Sequence, residues 1–323
     1  MPSPPRIFVA LQFSEPHEVD LLVAKLTIEA PLVEGWVIVE NTFTHKGQPK
    51  EAHLERLLES EPRLASFRDR ITLVSLAKDF RREFRYSPLH RSKLAAKLAL
   101  PNYSNDDARA HFQELPNLHA ERRQRDAALG PLFDVSGGEG WVVVTDADEF
   151  LDCSTGMRRD RLVAALRTGA YGLRLRRQRF DYDIDNLCPA IRFVGCVSIR
   201  HLRESGIGLQ QVRISHDGLI TTPEPFVYEY SFCLPRSAIA RKLATYIHVD
   251  SEDSIDRSLE CNHGFFGATV PQAIVGEYWY ERVDLEAVGA PEYVTANAAS
   301  LRTGNVNPDY ASARRERYPQ LFS

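Results

Sequence analysis

Three acidic side chains follow a short apolar run near the middle of the chain. The run covers residues 141–145, and the acids are Asp146, Asp148 and Glu149. An apolar run that stops at a polar turn is typical of a strand buried on both faces. The carboxyl end of such a strand opens into the crevice where α/β sheets bind their ligands. Because carboxylates two residues apart on extended backbone point the same way, we expect Asp146 and Asp148 to share one divalent cation.

A divalent cation at these acids would neutralise a diphosphate group, so the motif favours nucleotide-sugar chemistry. The pattern is short, however, and a solvated acidic turn after a core strand is the alternative. The predicted strands and helices around the motif therefore decide between these two interpretations.

The residues before the motif predict alternating strands and helices. Strands are predicted at 6–12, 35–40 and 70–75, and helices at 16–29, about 50–60 and 120–129. This alternation indicates a parallel sheet with right-handed crossovers. The polar segment at about 79–119 lacks a clear period and is predicted to be a helical insertion beside that sheet.

The residues after the motif have a different character, with shorter strands and alternating polarity. Strands are predicted at 172–180, 191–199, 211–215 and 226–232, and a helix at 235–243. The fold class is therefore α/β and Rossmann-like, with a mostly parallel central sheet and a mixed C-terminal half. We predict one domain over 1–323, in which 6–150 bind the nucleotide sugar and 151–323 provide the acceptor site and C-terminal helices.

The composition is that of an ordinary globular protein, with 43% apolar and 26% charged residues and a net charge of −4. That charge argues against a nucleic-acid binder, and no apolar stretch approaches the roughly 20 residues that span a bilayer. With no secretory leader, we expect a cytoplasmic protein. Its scattered cysteines predict reduced, mostly buried thiols; they are Cys153, Cys188, Cys196, Cys233 and Cys261. The locally basic stretch at 78–125 is either a solvated helical surface or a rim that attracts an anionic donor.

Six segments between about residues 10 and 300 follow one another in the order found in a known family. They are 12–13 with 18–22, 36–50, 121–126, 142–149, 231–243 with 246–248, and 290–297. They include Val37-Ile-Val-Glu40, Gln124-Arg125-Asp126 and the acidic motif itself. In these segments the chain resembles glycosyltransferase family 17, which includes the β-1,4-mannosyl-glycoprotein N-acetylglucosaminyltransferases.

The resemblance implies a GT-A fold and an inverting, metal-dependent transfer of a sugar. The expected donor is a nucleotide-diphosphate sugar, with UDP and GlcNAc as the expected pair, and the acceptor is a hydroxyl of a glycan or small molecule. The implied cofactor is Mn²⁺ or Mg²⁺ on Asp148, with Asp146 nearby. His248 is either an additional metal ligand or phosphate partner, or a structural histidine. Glu149 is expected to orient the metal site or the sugar.

Inverting transfer also needs a general base and residues that bind the donor. Glu229 stands where the family has His and is the first candidate for the base; Asp217 is the second, and either could instead be a surface acid. Arg125 suits a diphosphate, with a salt bridge to a sheet-edge acid as the alternative. The candidate donor-binding residues are Gln12, Phe13, Glu40, Lys50, Arg125 and Asp146, with Thr42 as a weaker one.

The chain departs from the family at two places. Val227-Tyr228-Glu229 replaces Gly-Trp-His, and the segment at 79–119 is longer than expected. For that reason the N-glycan acceptor is not carried over. Two other functions stay open: a catalytically silent sugar- or nucleotide-binding module, and a phosphotransferase that uses the Asp-x-Asp acid as nucleophile. In the phosphotransferases the motif continues with Gly-Thr and usually sits on the first strand, which differs from this chain.

Overall fold

The computed structural model describes residues 4–90, 92, 105–168, 171–215, 218–245, 259–261 and 280–317. Its strands form one nine-stranded sheet. They are β1 Ile7–Gln12, β2 Val33–Asn41, β3 Ile71–Leu76, β4 Trp141–Asp146, β5 Glu149–Leu151, β6 Gly172–Asp181, β7 Asn186–Ser198, β8 Ile220–Ser231 and β9 Glu281–Arg282.

Helices cover the sheet and connect its strands. They are α1 Val19–Glu29, α2 Leu54–Ser60, α3 Asn105–Asp126, α4 Leu129–Ser136, α5 Gly156–Thr168, α6 Ile199–Ser205, α7 Leu209–Ile214, α8 Arg236–Thr245, α9 Glu292–Ala296, α10 Ala298–Leu301 and α11 Tyr310–Arg317. Short 3₁₀ segments lie at Pro16–Glu18, Pro62–Arg70 and Phe80–Glu83.

The first half of the sheet is parallel and the second half is mixed. Strands β3, β2, β1 and β4 lie side by side and run parallel. Strand β7 then pairs antiparallel with β4, and β6, β8 and β5 complete the row. The chain first adds strands on one side of β1 and later returns to place β4 on its other side. The carboxyl ends of β1 and β4 therefore form a topological switch point, where open α/β sheets bind ligands.

The central strands are apolar on both faces because each face packs on a different core. Ile7, Val9 and Leu11 of β1 lie in one core with α1 and α2. The alternate residues Phe8 and Ala10 lie in a second core with α4, α6 and α7. This explains why 6–12 and 141–145 read as continuous apolar runs rather than alternating ones.

These observations confirm the α/β class and the predicted strands at 6–12, 35–40, 70–75 and 141–146, within a few residues at their ends. The strand predicted at 211–215 is wrong, because residues 211–214 belong to helix α7. Leu209 and Val212 lie three residues apart on one helical face and are both buried. Strand β5 was not predicted. Of the predicted insertion at about 79–119, the structure describes Phe80–Glu83 and the helix α3, which continues to Asp126 with Pro116 inside it.

The cysteine prediction is confirmed, since all five thiols are free and buried. Within the described ranges, no helix combines the length and the apolar character needed to cross a membrane.

Gly195 provides a test of how β7 packs on α7. A Cβ atom at this position would collide with the carbonyl oxygen of Val212. We expect Gly195→Ala to lower the free energy of unfolding by about 1–3 kcal/mol, because backbone atoms must move apart. Urea unfolding followed by circular dichroism measures this.

The matched control is Gly130→Ala on α4, where a Cβ would meet open space. This change should leave stability unchanged or raise it by about 0.5–1 kcal/mol, as alanine favours helix. Equal effects of the two substitutions would contradict the packing of α7 on β7.

Candidate functional site

The acidic motif lies at the switch point between β1 and β4. Gln12, the last residue of β1, is the register partner of Asp146, the last residue of β4. The amide nitrogen of the Gln12 side chain donates to the carbonyl oxygen of Glu121 on α3, at 3.1 Å. The motif, the end of β1 and the end of α3 therefore meet in one place, as the sequence predicted for Gln12 and Asp146.

The motif itself is a turn and not extended backbone. Ala147 and Asp148 form the turn, and Glu149 begins the short strand β5. The extended backbone expected for the motif is therefore wrong, and Asp146 and Asp148 contact different cations. The unpredicted pairing of β5 with β8 causes this, because it folds the chain back immediately after β4.

Asp146 is held by two guanidinium groups. Its Oδ1 accepts from Arg125 on α3 at 2.9 Å, and its Oδ2 accepts from Arg213 on α7 at 2.6 Å. Burial alone would raise the pKa of Asp146, but the charges of Arg125 and Arg213 outweigh it and lower that pKa. Arg125 thus forms the salt bridge that was the alternative to a diphosphate contact. Its Nε also donates to Gln210 at 2.6 Å, which fixes its orientation.

Glu149 is completely buried and ties the turn to two other elements. Its Oε2 accepts from the backbone nitrogen of Asp146 at 2.9 Å and from Arg213 at 2.6 Å. Its Oε1 pairs with Arg177 on β6. Glu149 therefore orients the turn, and its predicted role towards a metal or sugar stays a prediction.

Glu229 lies on β8 directly opposite Glu149. Arg177 Nε lies 3.1 Å from its Oε2, Arg179 Nε lies 3.7 Å from its Oε1, and the Ser231 hydroxyl donates to Oε1. Burial would raise the pKa of Glu229, but Arg177 and Arg179 outweigh it and lower that pKa to about 2. A carboxylate with this pKa is a weak base at neutral pH, so the geometry favours a positioning role over that of general base.

Asp148 has the opposite electrostatic character. It is 5% exposed, its Oδ2 accepts from Lys242 on α8 at 2.8 Å, and the Ser231 hydroxyl oxygen lies 3.5 Å from the same Oδ2. Burial and the nearby carboxylates, including Asp146 and Glu229, raise its pKa to about 6, although Lys242 opposes the shift. Of the carboxylates around the turn, Asp148 is the one whose negative charge is least compensated.

A fully buried lysine, Lys25 on α1, forms hydrogen bonds with residues on both sides of the turn. Lys25 Nζ on α1 donates to Thr145 Oγ1 at 2.9 Å and to the carbonyl oxygen of Glu149 at 2.5 Å. It also pairs with Glu29 at 2.6 Å, and Glu29 in turn accepts from Trp36 Nε1 at 2.7 Å. Both charged groups are therefore satisfied, and the network fixes the backbone on each side of the motif.

Two predicted donor-binding residues have structural contacts. The Phe13 side chain is 2% exposed and lies in the core with α1, so it does not face the crevice. Both carboxylate oxygens of Glu40 accept backbone N–H groups at the start of α2, from His53 at 2.7 Å and Leu54 at 2.9 Å. Glu40 thus satisfies donors of the first helical turn, and its assignment to the donor site stays a prediction.

Lys50 lies between the loops that follow β1 and β2. Its Nζ donates to the carbonyl oxygen of Ser14 at 2.5 Å and lies 3.9 Å from Glu40. Burial lowers the pKa of Lys50, against the opposing effect of Glu40. Its contacts join the two loops and do not reach the acidic turn. The predicted residues Asp217 and His248 lie outside the described residues.

The basic stretch at 78–125 reaches the site through Arg125. On the surface, Arg82 pairs with Asp79 at 3.0 Å, and Arg123 lies 3.3 Å from Glu83. These exposed pairs are typical of a solvated helical surface.

Sequence reasoning missed the cations that hold the acids, namely Arg177, Arg213 and Lys242. The alternation at 172–180 marked a strand with basic residues on it, but not the partner of each arginine. Arg213 was missed because its helix was assigned as a strand. Lys242 lay in a segment that resembles the family, without a role attached to it.

The charges of this site suit a divalent cation. Among the described residues, ion pairs and the Ser231 hydroxyl join a network of charged side chains around the turn. This network contains more acidic than basic side chains. The acids are Glu18, Glu121, Asp146, Asp148, Glu149, Asp181 and Glu229, and the bases are Arg125, Arg177, Arg179, Arg213 and Lys242. With every group ionised, the network is two charges negative, which one divalent cation would balance.

Within the network, Asp148 suits such an ion better than Asp146 does, because both oxygens of Asp146 accept from guanidinium groups. No three His, Cys, Asp or Glu side chains of the described ranges form a ready metal site. An ion would therefore depend on Asp148, phosphate oxygens and water, as Mg²⁺ commonly does.

No protein-family model matches this chain, and no curated protein matches it. The resemblance to glycosyltransferase family 17 therefore stays a prediction.

The raised pKa of Asp148 leads to a test by pH. In the unfolded chain an aspartate titrates near its ordinary pKa, so the ionisation of Asp148 should lower the stability of the folded wild type as the pH rises from about 4 to about 6. Asp148→Asn cannot ionise. We expect the stability of this variant relative to the wild type to increase by about 3 kcal/mol between about pH 4 and about pH 7.5.

Urea unfolding across this pH range measures the difference. Asp69→Asn, which removes an exposed carboxyl, is the control and should follow the wild type. A constant difference between Asp148→Asn and the wild type at every pH would contradict the electrostatic description of Asp148.

Proposed function

We propose that this protein is a metal-dependent, inverting glycosyltransferase. It would move a sugar, expected to be GlcNAc, from a nucleotide-diphosphate donor, expected to be UDP-linked, to a hydroxyl of a glycan or small molecule. The observation that carries the proposal is the position of the acidic turn. It lies at the switch point between β1 and β4, inside a charge network that is short of positive charge.

In this proposal Asp148 holds the metal. A Mn²⁺ or Mg²⁺ ion there supplies Lewis-acid neutralisation of the leaving diphosphate. Asp146, fixed by Arg125 and Arg213, would face the nucleoside part of the donor beside Gln12. Lys25 and Glu149 keep the turn in place, so that its carboxylates need little reorganisation when the donor binds. GT-A is the fold that this proposal implies for the Rossmann-like half.

The acceptor hydroxyl must lose a proton as it attacks. Glu229 has a strongly lowered pKa, so we assign it to holding Arg177 and the Ser231 hydroxyl beside Asp148. Asp217 stays the second predicted base.

A catalytically silent nucleotide-binding module is the second candidate. The observation that favours it is the ion pairing of the turn, since both oxygens of Asp146 and of Glu149 accept from arginines. The same pairing argues against a phosphotransferase, because a nucleophilic Asp146 would have to leave two guanidinium groups to attack.

The test combines thermal unfolding with product analysis. Purified protein is mixed with UDP or GDP, with and without Mn²⁺. We expect a rise of a few degrees in the unfolding temperature that needs both the metal and the diphosphate, corresponding to about 2–3 kcal/mol when ligand is near 100 times its Kd. Asp148→Ala should lose this rise, while Asp69→Ala should keep it.

The same samples, given a panel of nucleotide sugars and acceptors, should release nucleoside diphosphate. Metal-dependent binding without release on any acceptor would favour the silent module. Phosphate release from phosphomonoesters would favour the phosphotransferase. Stabilisation by UDP that persists in Asp148→Ala would contradict the metal site.

A further inference from the structure

Lys242 differs from the other cations of the site in the way it is held. Its Nζ lies 2.8 Å from Asp148 Oδ2 and 3.2 Å from Glu18 Oε1, and it lies 5.7 Å from the centre of the Phe232 ring. The side chain is 16% exposed, as is that of Arg213, whereas that of Arg125 is 2% exposed. Lys242 thus reaches the predicted metal carboxylate from a separate helix, α8, at the open side of the turn.

The arginines of the site have fixed geometry. Arg213 contacts Asp146 and Glu149 through both of its terminal nitrogens, and Arg177 joins Glu149 to Glu229. A planar guanidinium held by two carboxylates cannot turn towards a ligand without breaking several hydrogen bonds at once. A lysine ammonium on a flexible four-carbon stem can change partners by rotation of its side chain.

The contact of Lys242 with Asp148 conflicts with metal binding. An ammonium group and a divalent cation would compete for the same carboxylate and repel each other at this distance. A nucleotide-diphosphate donor brings new negative charge next to the metal. The ammonium group therefore has both a reason to leave Asp148 and an anionic partner close by.

We propose that the Lys242 ammonium group exchanges partners when ligands bind, an inference that rests on the proposed function. The ammonium group occupies Asp148 while the site is empty and passes to the diphosphate of the donor when a divalent cation binds Asp148. Lys242 would then share the neutralisation of the leaving group with the metal, and Glu18 would guide the side chain between its two positions.

The test uses binding and does not require a known acceptor. Calorimetry measures the affinity of the full-length protein for Mn²⁺ alone, and for UDP and UMP in the presence of Mn²⁺. The variants are Lys242→Met, Lys242→Arg and, as matched control, Arg241→Met, which removes a positive charge from an exposed neighbour on the same helix. Thermal unfolding of each variant shows that it is folded.

The proposal predicts opposite effects of Lys242→Met on the two ligands. Mn²⁺ alone should bind several-fold tighter, because its competitor at Asp148 is gone. UDP with Mn²⁺ should bind about tenfold weaker or more, the size of one lost charge-assisted hydrogen bond, while UMP changes less. Lys242→Arg should keep most of the UDP affinity, and Arg241→Met should resemble the wild type for both ligands.

If Lys242 has a purely structural role, Lys242→Met should weaken the binding of both ligands or of neither. Either result would overturn the proposal. Equal losses for UDP and UMP would overturn the contact with the diphosphate. If the wild type binds no UDP with Mn²⁺, the proposed function itself fails. Normal wild-type binding with an unchanged Lys242→Met variant overturns this inference alone.

Discussion

The ion pairs of Glu149 with Arg177 and Arg213 hold the acidic turn, and much of the fold serves to bring these side chains together. A carboxylate with no exposed surface is costly unless cations and hydrogen-bond donors surround it. Its partners come from β6 and α7, and the strand opposite it is β8. The mixed half of the sheet thus supplies the charges that allow the parallel half to end in a cluster of acids.

The same network separates the roles of the carboxylates. Asp146 and Glu229 have lowered pKa values because arginines face them, whereas Asp148 has a raised pKa among like charges. Neighbouring carboxylates with such different environments are typical of functional sites. The difference favours Asp148 as the group that a cation would stabilise most, and Lys242 is a cation that contacts it.

The sequence predicted the parallel half well because its strands are buried on both faces, which leaves continuous apolar runs. It also placed the acidic motif at the carboxyl end of the fourth strand, and that position predicts that the motif lies in the crevice where such sheets bind ligands. It could not predict the partners of the acids, because Arg177, Arg213 and Lys242 are far from the motif along the chain. Helix α7 was misassigned because six residues carry too little period to separate a helix from a strand. The sequence could not predict the structural contacts of Phe13 and Glu40, because an aromatic or acidic residue at a strand end can face the core or accept from a helix start as readily as it can face a ligand.

The most direct test of the central claim is X-ray diffraction at the manganese absorption edge from crystals grown with Mn²⁺ and UDP. We expect one anomalous peak, from a manganese ion that contacts an Asp148 oxygen and the diphosphate at the carboxyl ends of β1 and β4. UDP bound elsewhere, or a diphosphate held at the turn by arginines and Lys242 without a manganese peak, would contradict this claim.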